Sequence, residues 1–392
     1  MERLVGNDSA KIVGLRLRRM RSSELCKRIL RKKAQKSGND IDENLLIKKA
    51  EGLSAAIDSA MGYLETETSD LNSKVLSRYY GLMQLTIAEQ VSSLKNKNDL
   101  ALIQTHTESG HGLGTFRNKK DDKNFPSNFY VHIVNRGHFY QYTKSLNVTV
   151  NSFAFEGRQW KFQKVDDKKY VSLLDLFRRI PELKEVIPEY FDMEPLTFLI
   201  RREPYTQKFK NRFNKEIDTV TGSTQTENNT KNKRCEYIQI YPQTKTTTLE
   251  KIRSYAWPFS GILEDYNEFE KKKYFVGRLY HEGAVLDYTR FFYRSDYSLF
   301  SYIVPIFQTI NDPVLINLML TYALSIIVRY MPDTWHKIQK YDLNHLGSLI
   351  EYYISIFDQV VPMISLARIT GEEIYIKHLN SSYASPVITS RE

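Results

Sequence analysis

One segment constrains the fold more than any other, because it is apolar around its whole circumference. From Pro313 to Val328 the chain runs for 16 residues without a charged side chain. A helix that is apolar on every side belongs in a protein core or in a membrane. A membrane span needs about 20 residues, and this run also contains Asn317, Thr321 and Ser325. The segment therefore predicts a central core helix, and we expect no transmembrane segment.

Two earlier segments carry apolar residues at helical spacing and are joined by a short polar connection. They run from Leu46 to Leu64 and from Val75 to Leu94, which predicts an antiparallel helical hairpin. Residues 128–165 are richer in β-branched and aromatic side chains, and they predict three or four antiparallel strands around the turn Asn135-Arg136-Gly137. The predicted fold class is mainly α (α+β), with a long helical hairpin, a C-terminal helical core and a small antiparallel β insert.

The predicted organisation has four parts. They are a basic N-terminal arm (1–38), the hairpin (39–115), a β-rich insert (116–260) and a C-terminal helical region (261–392) that packs on the hairpin. Within the insert, residues 219–234 read TVTGSTQTENNTKNKR. This composition offers nothing to bury and predicts a mobile loop that proteases cut first, near Lys231, Lys233 or Arg234.

The positive charge is concentrated near the N-terminus. Residues 1–37 hold twelve Lys or Arg against three acids, a net charge of +9 in a chain whose total is +10. Such an arm attracts polyanions, either nucleic acid or an anionic membrane surface. Ile12, Leu15, Leu25, Ile29 and Leu30 approach helical spacing but form only a thin stripe, so the arm is equally consistent with a solvated helix that docks weakly. The apolar pattern that builds a core begins at Leu45. Deletion of residues 1–37 is therefore expected to leave the body folded. The candidate nucleic-acid-binding residues are Arg16, Arg18, Arg19, Arg21, Lys27, Arg28, Arg31, Lys32 and Lys33.

The cysteine content restricts the compartment and the chemistry. Two cysteines, Cys26 and Cys235, exclude a disulfide framework and a four-thiolate zinc site. Together with the lack of a recognisable signal peptide, they predict a cytoplasmic location. We expect neither a metal nor a cofactor.

Three short stretches resemble the YaaC-like family of bacterial proteins. The first is Leu76-Ser77-Arg78-Tyr79-Tyr80-Gly81-Leu82 followed by His111-Gly112-Leu113. The second is Asn135-Arg136-Gly137-His138-Phe139, followed by the short helical segment from Leu173 to Pro181. The third is Tyr302-Ile303-Val304-Pro305 with the run from Leu324 to Trp335. The likeness covers about residues 45–370, so the arm and residues 219–234 look like additions. The resemblance implies a mostly helical fold with a small β insert and implies no established reaction.

Three residues are candidates for catalysis. The spacing Arg329-x6-His336 resembles the motif of HEPN-type ribonucleases, in which an imidazole moves the 2′-hydroxyl proton and a guanidinium stabilises the phosphorane. Pro332 lies between the two residues, so the helix should end there and turn His336 away from Arg329. Arg329 would then bond carbonyl groups at a helix C-terminus. His111, between two glycines, is a structural hydrogen-bonding residue or a third site residue.

A further segment interleaves aromatic and basic side chains. Stacking on bases with phosphate contacts would suit single-stranded nucleic acid, and a core-facing segment with solvated arginines explains the same pattern. The candidate stacking residues are Tyr288, Arg290, Phe292 and Arg294.

The sequence thus favours a protein that binds a macromolecular partner, preferably nucleic acid through the arm, with bacterial regulation or phage defence as its setting. The alternatives are a metal-independent ribonuclease of the HEPN type and a protein–protein adaptor whose basic arm meets an acidic partner. Homo-oligomerisation is left open.

Overall fold

The computed structural model describes most of the chain, in two compact units. Unit 1 comprises Met1–Ile180 and Thr309–Glu392, and unit 2 comprises Pro181–Gln308. The predicted boundary after residue 115 falls inside unit 1, and the one after residue 260 falls inside unit 2. The described residues are 2–6, 8–38, 40–118, 123–159, 168–204, 206–220, 233–242, 247–269, 271–295, 298–377 and 384–387.

The predicted fold class, mainly α with smaller sheets, is confirmed. The described helices are α1 (Ser9–Arg19), α2 (Ser23–Ser37), α3 (Glu43–Leu64), α4 (Leu71–Ser92), α5 (Leu100–Glu108), α6 (His138–Ser145), α7 (Leu173–Phe177), α8 (Ile187–Tyr190), α9 (Thr206–Val220), α10 (Leu249–Arg253), α11 (Pro313–Tyr330), α12 (Pro332–Lys340) and α13 (Asn344–Thr370). The described strands are β1 (Glu2–Val5), β2 (Leu113–Arg117), β3 (Phe129–Val134), β4 (Ala154–Phe155), β5 (Val171–Ser172), β6 (Thr197–Arg202), β7 (Arg234–Tyr241), β8 (Ile262–Asn267), β9 (Lys272–His281), β10 (Ser301–Ile303), β11 (Ile374–Lys377) and β12 (Ala384–Val387).

Helices α3 and α4 form the predicted hairpin. Asp42 caps α3 by accepting a hydrogen bond from the amide of Leu45 at 3.0 Å, and Asp70 caps α4 in the same way. The two helices approach closely at Gly81, where an added Cβ would lie 2.7 Å from the Leu64 side chain. At the other end, the buried ammonium of Lys49 donates to the carbonyls of Val91, Ser93 and Asn98 at 2.7–3.1 Å. The bonds to Val91 and Ser93 satisfy carbonyls that the end of α4 leaves unpaired, and the bond to Asn98 ties down the segment before α5.

Helix α11 lies in the core of unit 1, as its uniform apolarity predicts. It packs against α4, α7 and α13. Both α11 and α13 are long and apolar enough to cross a membrane, with mean hydropathy of 1.5 and 1.2, and 72% of each such window is buried inside the protein. Asp312 caps α11, and its carboxylate also pairs with the buried guanidinium of Arg368 at 2.6 Å.

The N-terminal arm is part of the core of unit 1, which corrects the expectation that core-forming residues begin at Leu45. Helices α1 and α2 bury one apolar stripe against α3 and α13, and strand β1 pairs in parallel with β11. The sequence shows only a thin apolar stripe here because arginines and lysines separate its members. The fully buried members are Val13, Leu17, Met20, Cys26 and Leu30.

The small sheet of unit 1 differs from the predicted one. Strand β2 pairs antiparallel with β3, and β5 does the same, but β4 runs parallel to β3. The segment after the Asn135-Arg136-Gly137 turn is helix α6 and not a returning strand. Its first amides donate to the carbonyls of Gly110 and His111 at 2.9 and 3.0 Å. These tertiary hydrogen bonds fix a helical start that the aromatic sequence by itself does not indicate.

Unit 2 is built on a five-stranded antiparallel sheet in the order β10-β6-β7-β9-β8. Residues 262–303 supply three of these strands, so the C-terminal helical region begins at Pro313 and not at residue 261. Of the predicted loop 219–234, residues 221–232 lie outside the described residues, while residues 219–220 end α9 and residue 234 begins β7.

Candidate anion-binding site

Unit 1 contains a cavity of about 920 Å³ at the end of helix α11. Three arginines and one histidine reach it from separate parts of the chain, and the described lining residues include no carboxylate. Strand β2 and the C-terminal half of α11 supply eight of the twelve lining residues. The lining residues are His111, Gly114, Thr115, Phe116, Arg117, Phe129, Arg158, Tyr322, Ile326, Arg329, Tyr330 and Met331.

Two glycines hold His111 in place. Gly112 has a φ of +76°, and an added Cβ there would lie 2.9 Å from the amide nitrogens of Phe139 and Tyr140. Gly137 has a φ of +85°, and its added Cβ would lie 2.3 Å from the carbonyl oxygen of Gly110. Side chains at these positions would separate the two segments. The segment that carries His111 is therefore docked tightly against the start of α6.

The hydrogen bond between His111 and Tyr79 favours one tautomer of the imidazole. The Tyr79 hydroxyl lies 2.7 Å from Nδ1 of His111. Tyr79 is buried, and burial raises the pKa of its phenol far above the ordinary value. The phenol is therefore protonated, and its O–H is satisfied if it donates to Nδ1. That arrangement places the imidazole proton on Nε2, which has no other hydrogen-bond partner among the described residues.

Arg329 is fixed at the C-terminal end of α11. Its Nε donates to the carbonyl of Ser325 at 3.1 Å, and Nη1 donates to the hydroxyl of Tyr80 at 3.2 Å. The predicted bond from Arg329 to a carbonyl near the helix end is thus present. The guanidinium also lies over the ring of Tyr330, 5.1 Å from its centroid. Within the described chain it pairs with no carboxylate.

Arg117 and Arg158 complete the positive lining. Arg117, at the end of β2, donates to the hydroxyl of Thr334 at 2.8 Å and lies over the ring of Phe125. Arg158 is exposed at the cavity rim, and no ion pair with a described carboxylate includes it. Burial lowers the pKa of His111, and the charges of Arg329 and Arg158 lower it further. His111 is thus neutral at neutral pH, and three guanidinium charges face a cavity without an acid among its described residues.

His336 does not reach this cavity. Helix α11 ends at Tyr330 and α12 begins at Pro332, as the proline predicts. The His336 side chain is exposed on α12, and its ring lies 5.1 Å from that of Tyr341. Of the three catalytic candidates, the structure brings together Arg329 and His111.

The candidate nucleic-acid-binding residues of the arm lie on α1 and α2, and most of them face carboxylates. Arg16 pairs with Glu2 and Arg18 with Glu65, and Lys33 donates to the carbonyl of Arg368. For Arg19 no ion pair with a described acid is present. The other pairs are Arg21 with Asp58, Lys27 and Arg31 with Glu43, Arg28 with Glu24, and Lys32 with Glu372.

The candidate stacking residues lie in unit 2. Phe292 is 4% exposed and belongs to the core of that unit, so its ring faces are covered and cannot stack on a base. Tyr288 packs against Phe292 with a centroid distance of 5.9 Å. Arg290 is exposed, and Arg294 lies over Phe300. Three of the four thus pack on aromatic neighbours within the unit, which agrees with the core-facing interpretation of this segment.

Sequence reasoning missed Arg117 and Arg158 as site residues. They are 41 positions apart and lie far from Arg329 in the chain, so no local spacing connects them. The three stretches that carry the family resemblance offered a usable signal. Tyr79 and the turn before α6 hold the segment of His111 in place, and His111 and Arg329 line the cavity. Among the described residues, no three His, Cys, Asp or Glu side chains form a metal-binding group.

Comparison with known protein families assigns the chain to one of them. The profile of the YaaC-like protein family matches residues 18–369, so the chain belongs to this family. The match begins inside α1, and most of the N-terminal arm is therefore part of the family region and not an addition to it. Neither a curated protein nor a solved structure matches the chain.

Proposed function

We propose that this protein binds a nucleotide unit of a nucleic acid in the cavity of unit 1. One observation carries the proposal: Arg117, Arg158, Arg329 and the Nε2–H of His111 converge with no acid among the described lining residues. Arg158 and Arg329 form no ion pair with a described carboxylate, so an anion that binds beside them relieves the repulsion between their charges. Guanidinium groups bind phosphate with paired hydrogen bonds and lose less hydration than an ammonium.

The cavity is larger than a phosphate group, and its remaining walls favour a planar apolar partner. Phe116, Phe129, Tyr322 and Met331 supply aromatic and apolar surface beside the arginines. A pocket lined by both arginine and aromatic side chains matches the two chemical groups of a nucleotide, a phosphate and a base. This proposal keeps nucleic acid as the partner but moves the binding element from the arm to the cavity.

A metal-independent ribonuclease is the second candidate, because His111 and Arg329 meet in one cavity. In that reaction His111 would take the other tautomer, with Nδ1–H donating to Tyr79, so that Nε2 accepts the 2′-hydroxyl proton while Arg329 stabilises the phosphorane. A second group must protonate the leaving oxygen. The described lining residues contain one imidazole and no carboxylate, so a phenol would have to serve. Binding without cleavage therefore fits the described lining better. Roles in regulation or phage defence, and the adaptor hypothesis, stay predictions.

The test is fluorescence anisotropy with a labelled single-stranded oligonucleotide of about ten nucleotides, in EDTA, with gel analysis of the same samples for cleavage. We expect the wild type to bind and Arg329→Gln to lose at least about ten-fold in affinity, or about 1.4 kcal/mol. Arg28→Gln, on the exposed face of α2, is the matched control and should bind like the wild type. Equal affinity of the two variants, or no binding by the folded wild type, would overturn the proposal. Cleavage that requires His111 would favour the ribonuclease.

A further inference from the structure

A row of aromatic rings and one guanidinium leads away from the cavity along unit 1. Tyr63 of α3 stacks on Tyr80 of α4, with ring centroids 5.5 Å apart and planes inclined by 29°. The Arg329 guanidinium lies 6.0 Å from the centroid of Tyr80 and 5.1 Å from that of Tyr330. The row therefore runs Tyr63, Tyr80, Arg329, Tyr330.

The two ends of this row are open to solvent. Tyr330 is 67% exposed although it also lines the cavity, so it lies at the rim. Tyr63 is 40% exposed and lies outside the cavity lining. Between them, Tyr80 and Arg329 are half-buried, and contiguous apolar surface of this kind marks binding sites for ligands or partners. The row thus extends the cavity as a surface on which planar groups can stack.

The close approach of α3 and α4 positions the far end of the row. Gly81 has no side chain, and an added Cβ would meet Leu64 at 2.7 Å and Tyr63 Cβ at 3.4 Å. A larger residue would force α3 away from α4 and separate Tyr63 from Tyr80. Helix packing therefore holds the stacked pair rigidly, which reduces the entropy that a ligand loses when it stacks there.

We infer that the ligand is a single strand of nucleic acid, one nucleotide of which enters the cavity while its neighbours stack along Tyr330 and Tyr63. This inference rests on the proposed function and specifies its substrate class. Unpaired bases expose both faces, whereas bases in a duplex are covered by their neighbours. Arg329, between two of the rings, supplies a positive charge for one backbone phosphate of the strand.

The experiment compares two probes with the full chain. Binding of thymidine 5′-monophosphate and of an oligothymidylate of about eight nucleotides is measured by competition against the labelled oligonucleotide. We expect the oligonucleotide to bind at least about ten-fold more tightly than the mononucleotide, because each stacked base adds about 1–3 kcal/mol. A duplex of the same length should compete poorly at equal salt.

Substitutions of exposed tyrosines give the internal control. Tyr63→Ala should reduce the ratio of oligonucleotide to mononucleotide affinity by about five-fold or more, the equivalent of one lost stacking contact, and Tyr63→Phe should restore it. Tyr352→Ala, at a tyrosine of α13 that is 44% exposed, should leave the ratio unchanged. Thermal melting verifies that each variant is folded.

The outcomes separate the two proposals. If the mononucleotide binds in an Arg329-dependent manner but the oligonucleotide binds no more tightly, the single-strand inference fails while the proposed function stands. The same conclusion follows if Tyr63→Ala and Tyr352→Ala behave alike, or if the duplex competes as well as the single strand. If neither probe binds the folded wild type, the proposed function fails and the inference fails with it.

Discussion

The N-terminal helices and the cavity of unit 1 are both rich in positive charge, but they differ in what surrounds that charge. On α1 and α2, Glu43 lies 2.6 Å from Lys27 and 3.0 Å from Arg31, and other acids accompany most of the remaining cations. At the cavity, Arg329 contacts hydroxyl and carbonyl oxygens and aromatic rings instead. The charge of a segment, counted along the sequence, therefore does not show where an anion can bind. What matters is whether the fold places a carboxylate beside each cation.

The largest expected effect concerns the structural role of the helices. Leu17→Ala removes a fully buried side chain of α1 and should lower the free energy of unfolding by about 2–5 kcal/mol. Leu15→Ala, on the same helix but 48% exposed, should change it by less than about 0.5 kcal/mol. Chemical denaturation of both variants measures the difference. Equal stability would mean that the arm docks loosely, as its charge alone suggests. In that case, deletion of residues 1–37 should also leave unit 1 folded. The buried stripe of α1 and α2 instead predicts that this deletion unfolds unit 1.

The second prediction places an acid beside the arginines of the cavity, as the fold does for most cations of α1 and α2. Thr115→Glu places a carboxylate among the lining arginines and should weaken oligonucleotide binding by at least about ten-fold, or about 1.4 kcal/mol. Thr115→Gln adds nearly the same volume without the charge and is the matched control. Anisotropy titrations of both variants at one salt concentration make the measurement. If the two variants lose affinity equally, bulk and not charge explains the loss.

The smallest effect is expected when an acid that pairs with cations of α2 is removed. Glu43→Gln removes the carboxylate that Lys27 and Arg31 share. Measured in the Arg329→Gln background, it should raise oligonucleotide affinity at low salt by about two-fold, because exposed ion pairs are weak and each new phosphate contact is screened. Glu43→Asp keeps the charge and should change little. A rise in oligonucleotide affinity as large as the loss caused by Arg329→Gln would indicate that the arm is the main binding element.

The parts of the fold that the sequence predicts correctly depend on local pattern. The hairpin follows from helical spacing in 46–94, the core helix from the uncharged run at 313–328, and the break after Tyr330 from Pro332. The turn before α6 was assigned wrongly because its conformation depends on carbonyls of residues 110 and 111, which are distant in sequence. The buried stripe of α1 and α2 was hidden by the charges between its members.

The candidate site also contains residues that the local sequence indicates and residues that only the fold brings together. Arg329 and His111 were singled out from their immediate neighbours in the sequence. Arg117 and Arg158 are recognised as site residues only in the folded structure, where they line the same cavity as β2 and the end of α11. Whether the fold places a carboxylate beside a given cation is a property of tertiary structure, and no count of residue types contains it.

The pairing of β1 with β11 has a consequence for how the chain acquires its structure during synthesis. Residues 2–5 pair with residues 374–377, and α1 packs against α13. At about 5–20 residues per second, the ribosome needs roughly 20–70 s after making the first strand before its partner strand has been translated. Throughout that interval the face of α1 that meets α13 has no native partner. We therefore expect a nascent chain to expose this face to chaperones, and unit 1 to complete its structure only after residues 374–377 have been translated.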